Sequence, residues 1–139
     1  MRVYISGALQ ASSDLPAARS RYEHAARVIG ERGHSAYLPH QHTDPMEAAS
    51  LSAETVFERD RQQLSDCDGV VAFIDEPSLG VGCELALAHQ QNARILALRN
   101  EASSVSRFAL GFLEAIGASV ETYRGADDIT NAVASFVDR

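Results

Sequence analysis

No apolar run in these 139 residues is long enough to cross a membrane, and two cysteines, Cys67 and Cys83, are too few for a disulfide framework. Neither has a second ligand at zinc spacing, so both are expected as small buried thiols in a reducing compartment. No basic cluster offsets the formal net charge of −7. That argues against a surface that coats nucleic acid, although a single phosphate held by backbone N–H groups is not excluded. The opening run Arg2-Val3-Tyr4-Ile5-Ser6 is too short for a signal peptide and ends in a turn. The expectation is a soluble, cytoplasmic protein that engages neither a membrane nor a nucleic-acid polymer.

What is present is ordinary globular composition, 45% hydrophobic and 22% charged. The length suits a single domain over residues 1–139 with a core of its own. Short β-branched or apolar runs at residues 2–6, 35–38, 70–74, 93–98 and 119–123 read as strands. Helical patterns separate them. Asp14 with Pro16 starts the first helix, and Ser52 caps the second, whose apolar face is expected to hold Val56, Phe57 and Leu64. Asp127 and Asp128 open the last. Apolar strands alternating with helices predict an α/β fold, a doubly wound five-stranded parallel sheet in the order 2-1-3-4-5 with helices on both faces. Ligands bind such sheets beyond the carboxyl ends of the strands, where strands 1 and 3 diverge. The loop after Ser6, the patternless connection at residues 40–52 and the turn at residues 76–82 meet there.

The stretch at residues 68–87, DGVVAFIDEPSLGVGCELAL, runs from buried strand through a glycine-containing turn into a helix. Ser78, Gly80 and Gly82 suit a phosphate-holding turn, and equally a plain strand-to-helix connection. The glycines are followed neither by the third glycine of a dinucleotide fingerprint nor by the lysine of a Walker loop. Glu84, expected in the first helical turn, is favoured in its ionised form by the helix dipole. It suits a nucleophile as well as a residue that only complements that dipole. Asp60 falls on or beside the buried face of its helix, where a carboxylate is unusual. Two carboxylates flanking one site are the equipment for cleaving a glycosidic bond. Tyr4 reads as a core aromatic with its hydroxyl at the rim. His40 and His42 form a pair without further metal ligands and are expected in solvent.

These residues resemble the nucleoside 2-deoxyribosyltransferase superfamily, most closely its 2′-deoxynucleoside 5′-phosphate N-hydrolase branch. The resemblance spans nearly the whole chain. It is strongest in Val3-Tyr4-Ile5-Ser6-Gly7 and in residues 60–85, where PSLGVGCEL matches that branch's PSLGVGxEL signature. The resemblance implies that Glu84 attacks C1′ of the deoxyribose and that Asp60 assists departure of the base or holds the sugar. It places Tyr4 beside the nucleophile, and Ser78, Gly80 and Gly82 at the phosphate, with Gly7 in the first substrate-binding loop. It puts His40 on the base side. It also places Ser106 at a dimer interface, reaching the phosphate of the neighbouring site. Homodimers or larger assemblies are implied, and no metal or cofactor. The loop after the first strand reads Ala8-Leu9-Gln10-Ala11-Ser12-Ser13, with no arginine after Gly7. The reading is therefore an N-glycosidase that frees the base from a 2′-deoxynucleoside 5′-monophosphate through a glutamyl-glycosyl intermediate. The alternatives are a nucleoside 2-deoxyribosyltransferase that hands the sugar to a second base, or a non-catalytic nucleotide-binding domain.

Overall fold

A computed structural model of the chain describes residues 1–10, 12–44 and 49–139. Ala11 of the first loop and residues 45–48 of the long connection lie outside the described residues. The elements are β1 (Arg2–Ser6), α1 (Leu15–Glu31), β2 (Ser35–Tyr37), α2 (Ala53–Ser65), β3 (Gly69–Phe73), α3 (Leu79–Gln90), β4 (Arg94–Asn100), α4 (Arg107–Ala115), β5 (Ser119–Tyr123) and α5 (Ala126–Val137), with one 3-10 turn at Pro39–Gln41. The five strands form one parallel sheet, order β2-β1-β3-β4-β5, as the alternating pattern predicts. No helix among the described residues is long and apolar enough to cross a membrane.

Side chains alternate across the sheet and divide the core. Val3, Ile5, Val71, Phe73, Leu96 and Leu98 face α1 and α5. Tyr4, Val70, Ala72, Ile95 and Ala97 face the other side with Leu64 of α2, Val81 and Leu85 of α3 and Leu113 of α4. Tyr4 therefore sits on the α2–α3 side of the sheet, and Ser6, two residues on, projects the same way.

Helix starts follow local capping chemistry. Asp14 accepts from the Ala17 N–H, Ser52 from Thr55, and Ser106 from Ala109. The helix that Ser106 caps therefore starts at Arg107. The largest departure from expectation is α3. Ser78 accepts from the Val81 N–H, so the helix begins at Leu79 and takes both glycines into its first turn and a half. Gly80 and Gly82 are helical, and Glu84 is the sixth residue of α3, in its second turn. The poor helix propensity of glycine is overridden because Val81, Leu85 and Ala88 pack into the core from this helix.

Three smaller expectations also change. Phe57 is 51% exposed and stands outside the core cluster that holds Leu64. Leu64 alone of that proposed face is fully buried, and Val56 is half-buried. The cysteines are not both core thiols: Cys67 is half-buried and Cys83, on the outer side of α3, is exposed.

Candidate active site

Both oxygens of the Glu84 carboxylate are held by hydroxyls of β1. Tyr4 donates to Oε1 over 2.6 Å and Ser6 donates to Oε2 over 2.5 Å. The clamp follows from register: Tyr4 and Ser6 are i and i+2 on a strand, so both reach the one residue that α3 lays across that face. Tyr4 has no exposed surface, and its burial beside the negative Glu84 and Asp60 raises its phenol well above the ordinary range.

The sequence expectation that Glu84 is an ionised helix-start residue is corrected. Burial is the largest influence on its carboxyl, and the nearby Asp60 charge adds to it. The bonds from Ser6 and Tyr4 oppose them, and the balance pushes the carboxyl up to about 7 from an ordinary 4.5. The sixth position of a helix has lost most of the terminal dipole, so desolvation decides.

Asp60 projects from α2 toward the same place. Its Oδ1 accepts from the Tyr37 hydroxyl over 3.1 Å, and its Oδ2 lies 2.9 Å from Thr43 Oγ1. Burial raises the Asp60 carboxyl, and these two bonds and the neighbouring His42 oppose the rise. Asp60 and Glu84 line one cavity of about 450 Å³ at the carboxyl ends of β1 and β3. The first loop, the Pro39–Thr43 segment and the start of α3 close round it, the three segments that meet at the switch point. A second cavity of about 520 Å³ shares both carboxylates and is lined on its far side by Phe57 and Leu51.

Of the other residues singled out in the sequence, Gly7, His40, Ser78 and Gly80 line the first cavity. The Ser78 hydroxyl also accepts from the Val81 N–H. His40 is buried, not in solvent, and its Nε2 lies 3.3 Å from a carboxylate oxygen of Glu23. His42 is exposed and stacks on Tyr37 with ring centroids 5.0 Å apart. At Gly7 a Cβ would lie 2.2 Å from the Tyr22 ring, whose hydroxyl donates to the Ala8 carbonyl over 2.9 Å. That glycine is required by the tyrosine packed against it.

Gly82 and Ser106 are not brought to this cavity within one chain. They line a separate apolar groove between the starts of α3 and α4, flanked by Leu79 and Phe108, which are 92% and 89% exposed. The reason for Gly82 is the early helix start, which rotates it to the outer side of α3. Among the described residues no three His, Cys, Asp or Glu side chains group as a metal site would require.

Sequence reasoning missed three residues. Ser6 was detectable, since it alternates in phase with Tyr4. Tyr37 and Thr43 carry no local signal, because their relation to Asp60 arises only when β2, its following loop and α2 converge.

The family model described as nucleoside 2-deoxyribosyltransferase matches residues 3–131. A protein of Thermofilum pendens is 31% identical over 114 residues, covering 80% of this chain and 78% of that one. A protein of Methanococcoides burtonii is 28% identical over 113 residues, covering 80% of this chain and 90% of its own. Both carry the provisional name 2′-deoxynucleoside 5′-phosphate N-hydrolase 1. The fold is similar to that of a CMP N-glycosidase of Clostridium botulinum, with a TM-score of 0.73 at 17% identity over 98% of this chain and 99% of that one.

Proposed function

The chain belongs to the nucleoside 2-deoxyribosyltransferase family, and from that premise we propose that it is a single-domain N-glycosidase that releases the base from a 2′-deoxynucleoside 5′-monophosphate. The family's chemistry is transfer or hydrolysis at the N-glycosyl bond. The relatives named as 2′-deoxynucleoside 5′-phosphate N-hydrolases support the hydrolytic version and the phosphate.

The observation that carries the reading is the Glu84 carboxylate clamped by Tyr4 and Ser6 in a cavity that also holds Asp60. In the proposed sequence, a Glu84 oxygen bonds to C1′ as the C1′–N bond breaks, and the bonding pair leaves with the base. Asp60, ionised, faces the departing base, which takes its proton from solvent. Water then attacks C1′, Glu84 leaves as carboxylate, and Asp60 accepts the water's proton before passing it to solvent. Two displacements retain configuration. The reaction calls on no metal or cofactor. Glu84→Gln and Glu84→Ala, folded as judged by circular dichroism, are expected to lose base release by several orders of magnitude. Near wild-type turnover in either variant overturns the assignment.

One observation favours a second reading. The described residues lining the first cavity include no arginine, and the chain has no lysine. Arg19 and Arg21, on the helix that follows the first loop, are paired with Asp44 and Asp75. A first cavity with two carboxylates and no arginine suits an uncharged nucleoside, and with it a deoxyribosyltransferase, while Arg61 lines the adjoining cavity that shares both carboxylates. Assays of deoxynucleosides with and without a 5′-phosphate, and with an added free base, separate the readings. An exchanged nucleoside identifies a transferase.

We further propose that the protein works as a homodimer, the apolar groove beside Ser106 packing against a second copy. Leu79 and Phe108, almost wholly exposed on adjacent helix starts, support this. In such a dimer Ser106 supplies a hydroxyl to the partner's phosphate end.

A further inference from the structure

Tyr4 and Tyr37 are register partners on the neighbouring strands β1 and β2. Their rings lie 5.5 Å apart, tilted by 31°, on the side of the sheet that carries α2 and α3. Each hydroxyl is spent on a carboxylate, and on a different one: Tyr4 on Glu84 over 2.6 Å, Tyr37 on Asp60 over 3.1 Å. His42 extends the stack, lying nearly parallel to Tyr37 at 7°. The separation of Glu84 from Asp60 is thereby tied to the spacing of two adjacent strands, one of the most invariant distances in a sheet.

Asp60 needs such a hold more than Glu84 does. It stands midway along α2 and is less deeply buried than Glu84. Thr43 Oγ1 reaches it at 2.9 Å, but the single Thr43 proton also faces the Pro39 carbonyl at 3.1 Å. The Tyr37 hydroxyl has no competing acceptor among the described residues.

We propose that Tyr37 is the positioning residue of Asp60: with its ring locked between Tyr4 and His42, its hydroxyl fixes the orientation of the Asp60 carboxylate across the cavity from Glu84. It touches no substrate and acts through Asp60. The inference rests on the proposed function for its kinetic consequence but not for its structural one. The groups that face Asp60 are Tyr37 from β2, His42 and Thr43 from the following loop, Tyr4 from β1 and Glu84 from α3, with Arg59 and Arg61 beside it on α2.

The test separates the two. In a Glu84→Gln background, so that the coupled partner does not titrate, the Asp60 carboxyl is followed by ¹³C NMR with and without Tyr37→Phe. Phenylalanine keeps the ring stack and removes the hydroxyl. The loss of a bond to the charged form is expected to raise the Asp60 midpoint by about one pH unit. This readout needs no activity, so it stands even where base release fails on every substrate. With Glu84 in place, Tyr37→Phe is expected to lower kcat by about tenfold, with KM changed less than kcat and the limb belonging to Asp60 displaced to higher pH. In an Asp60→Asn background the same change is expected to cost less than about twofold. Thr43→Val provides a second removal of a donor, with a displacement in the same direction. An unmoved Asp60 midpoint in Tyr37→Phe, or an equal kcat loss in the Asp60→Asn background, overturns the proposal.

Discussion

The Tyr4 hydroxyl donates to Glu84 Oε1 over 2.6 Å and so ties the middle of β1 to the second turn of α3. The nucleophile candidate is thereby oriented by a strand in the interior of the sheet. Tyr4→Phe removes the donor and leaves the ring in place. Its expected cost is about tenfold or more in kcat, the value of a bond to a charged acceptor. An unchanged kcat shows that the bond does not orient Glu84. Stopped assays of base release are sufficient.

Under the proposed function, the Glu84 carboxyl at about 7 sets the pH dependence of activity. A nucleophile must be ionised, so kcat/KM is expected to fall about tenfold per pH unit below that value. The bond from Ser6 favours the ionised form, so Ser6→Ala should move this acidic limb to higher pH. A limb that stays in place in Ser6→Ala, or that lies at the ordinary carboxylate value, contradicts the assignment. A pH–rate profile of both proteins decides it.

The same carboxyl has a consequence for stability. An unfolded Glu84 releases its proton near its ordinary 4.5, and the folded one keeps it to about 7. Between those values the folded state binds more protons. Stability contributed at low pH is therefore lost as pH rises through this window, by about 3 kcal/mol, and is level above it. Asp60, also raised, acts in the same sense. Urea unfolding at a series of pH values should show this decline in the wild type and a flatter curve in Glu84→Gln. Identical slopes would count against a buried, raised Glu84.

Gly7→Ala places a methyl 2.2 Å from the Tyr22 ring. The tyrosine has to move, and its bond to the Ala8 carbonyl goes with it. Overpacking of this kind costs about 1–3 kcal/mol. The first loop should shift as well, raising KM for every substrate. Adding Tyr22→Ala to make room should recover part of the loop effect. Thermal melts and KM for single and double variants test the pair.

Ser106→Asn is the informative change at the α4 start, because asparagine preserves the cap that alanine would remove. Under the dimer proposal, 5′-phosphorylated substrates lose more than nucleosides do, and activity falls on dilution to monomer. Equal losses on both substrate classes argue for a purely structural serine.

The architecture was legible because its signals are local. Asp14 and Ser52 announced their helices, and the strand runs were apolar enough to require cover on both faces. The start of α3 was misread for a local reason too. Glycines weigh toward a turn, yet Ser78 and the packing of Val81 and Leu85 outweigh them. Phe57 failed for a global reason. Its spacing from Leu64 is correct for one helix side, but how far the core reaches along α2 is not written in that helix. Glu84 and Asp60 stood out as chemistry, whereas Tyr37 and Thr43, which hold Asp60, are ordinary residues until the chain closes.

The strand order has one more consequence. Glu84 hangs from β1, which is paired on both edges. Asp60 hangs from Tyr37 at the end of β2, a three-residue strand on the sheet's margin. Marginal strands open long before the centre does. On warming, Asp60 is expected to lose its alignment while Glu84 keeps its own, so heat should silence the enzyme well below the temperature at which the molecule melts.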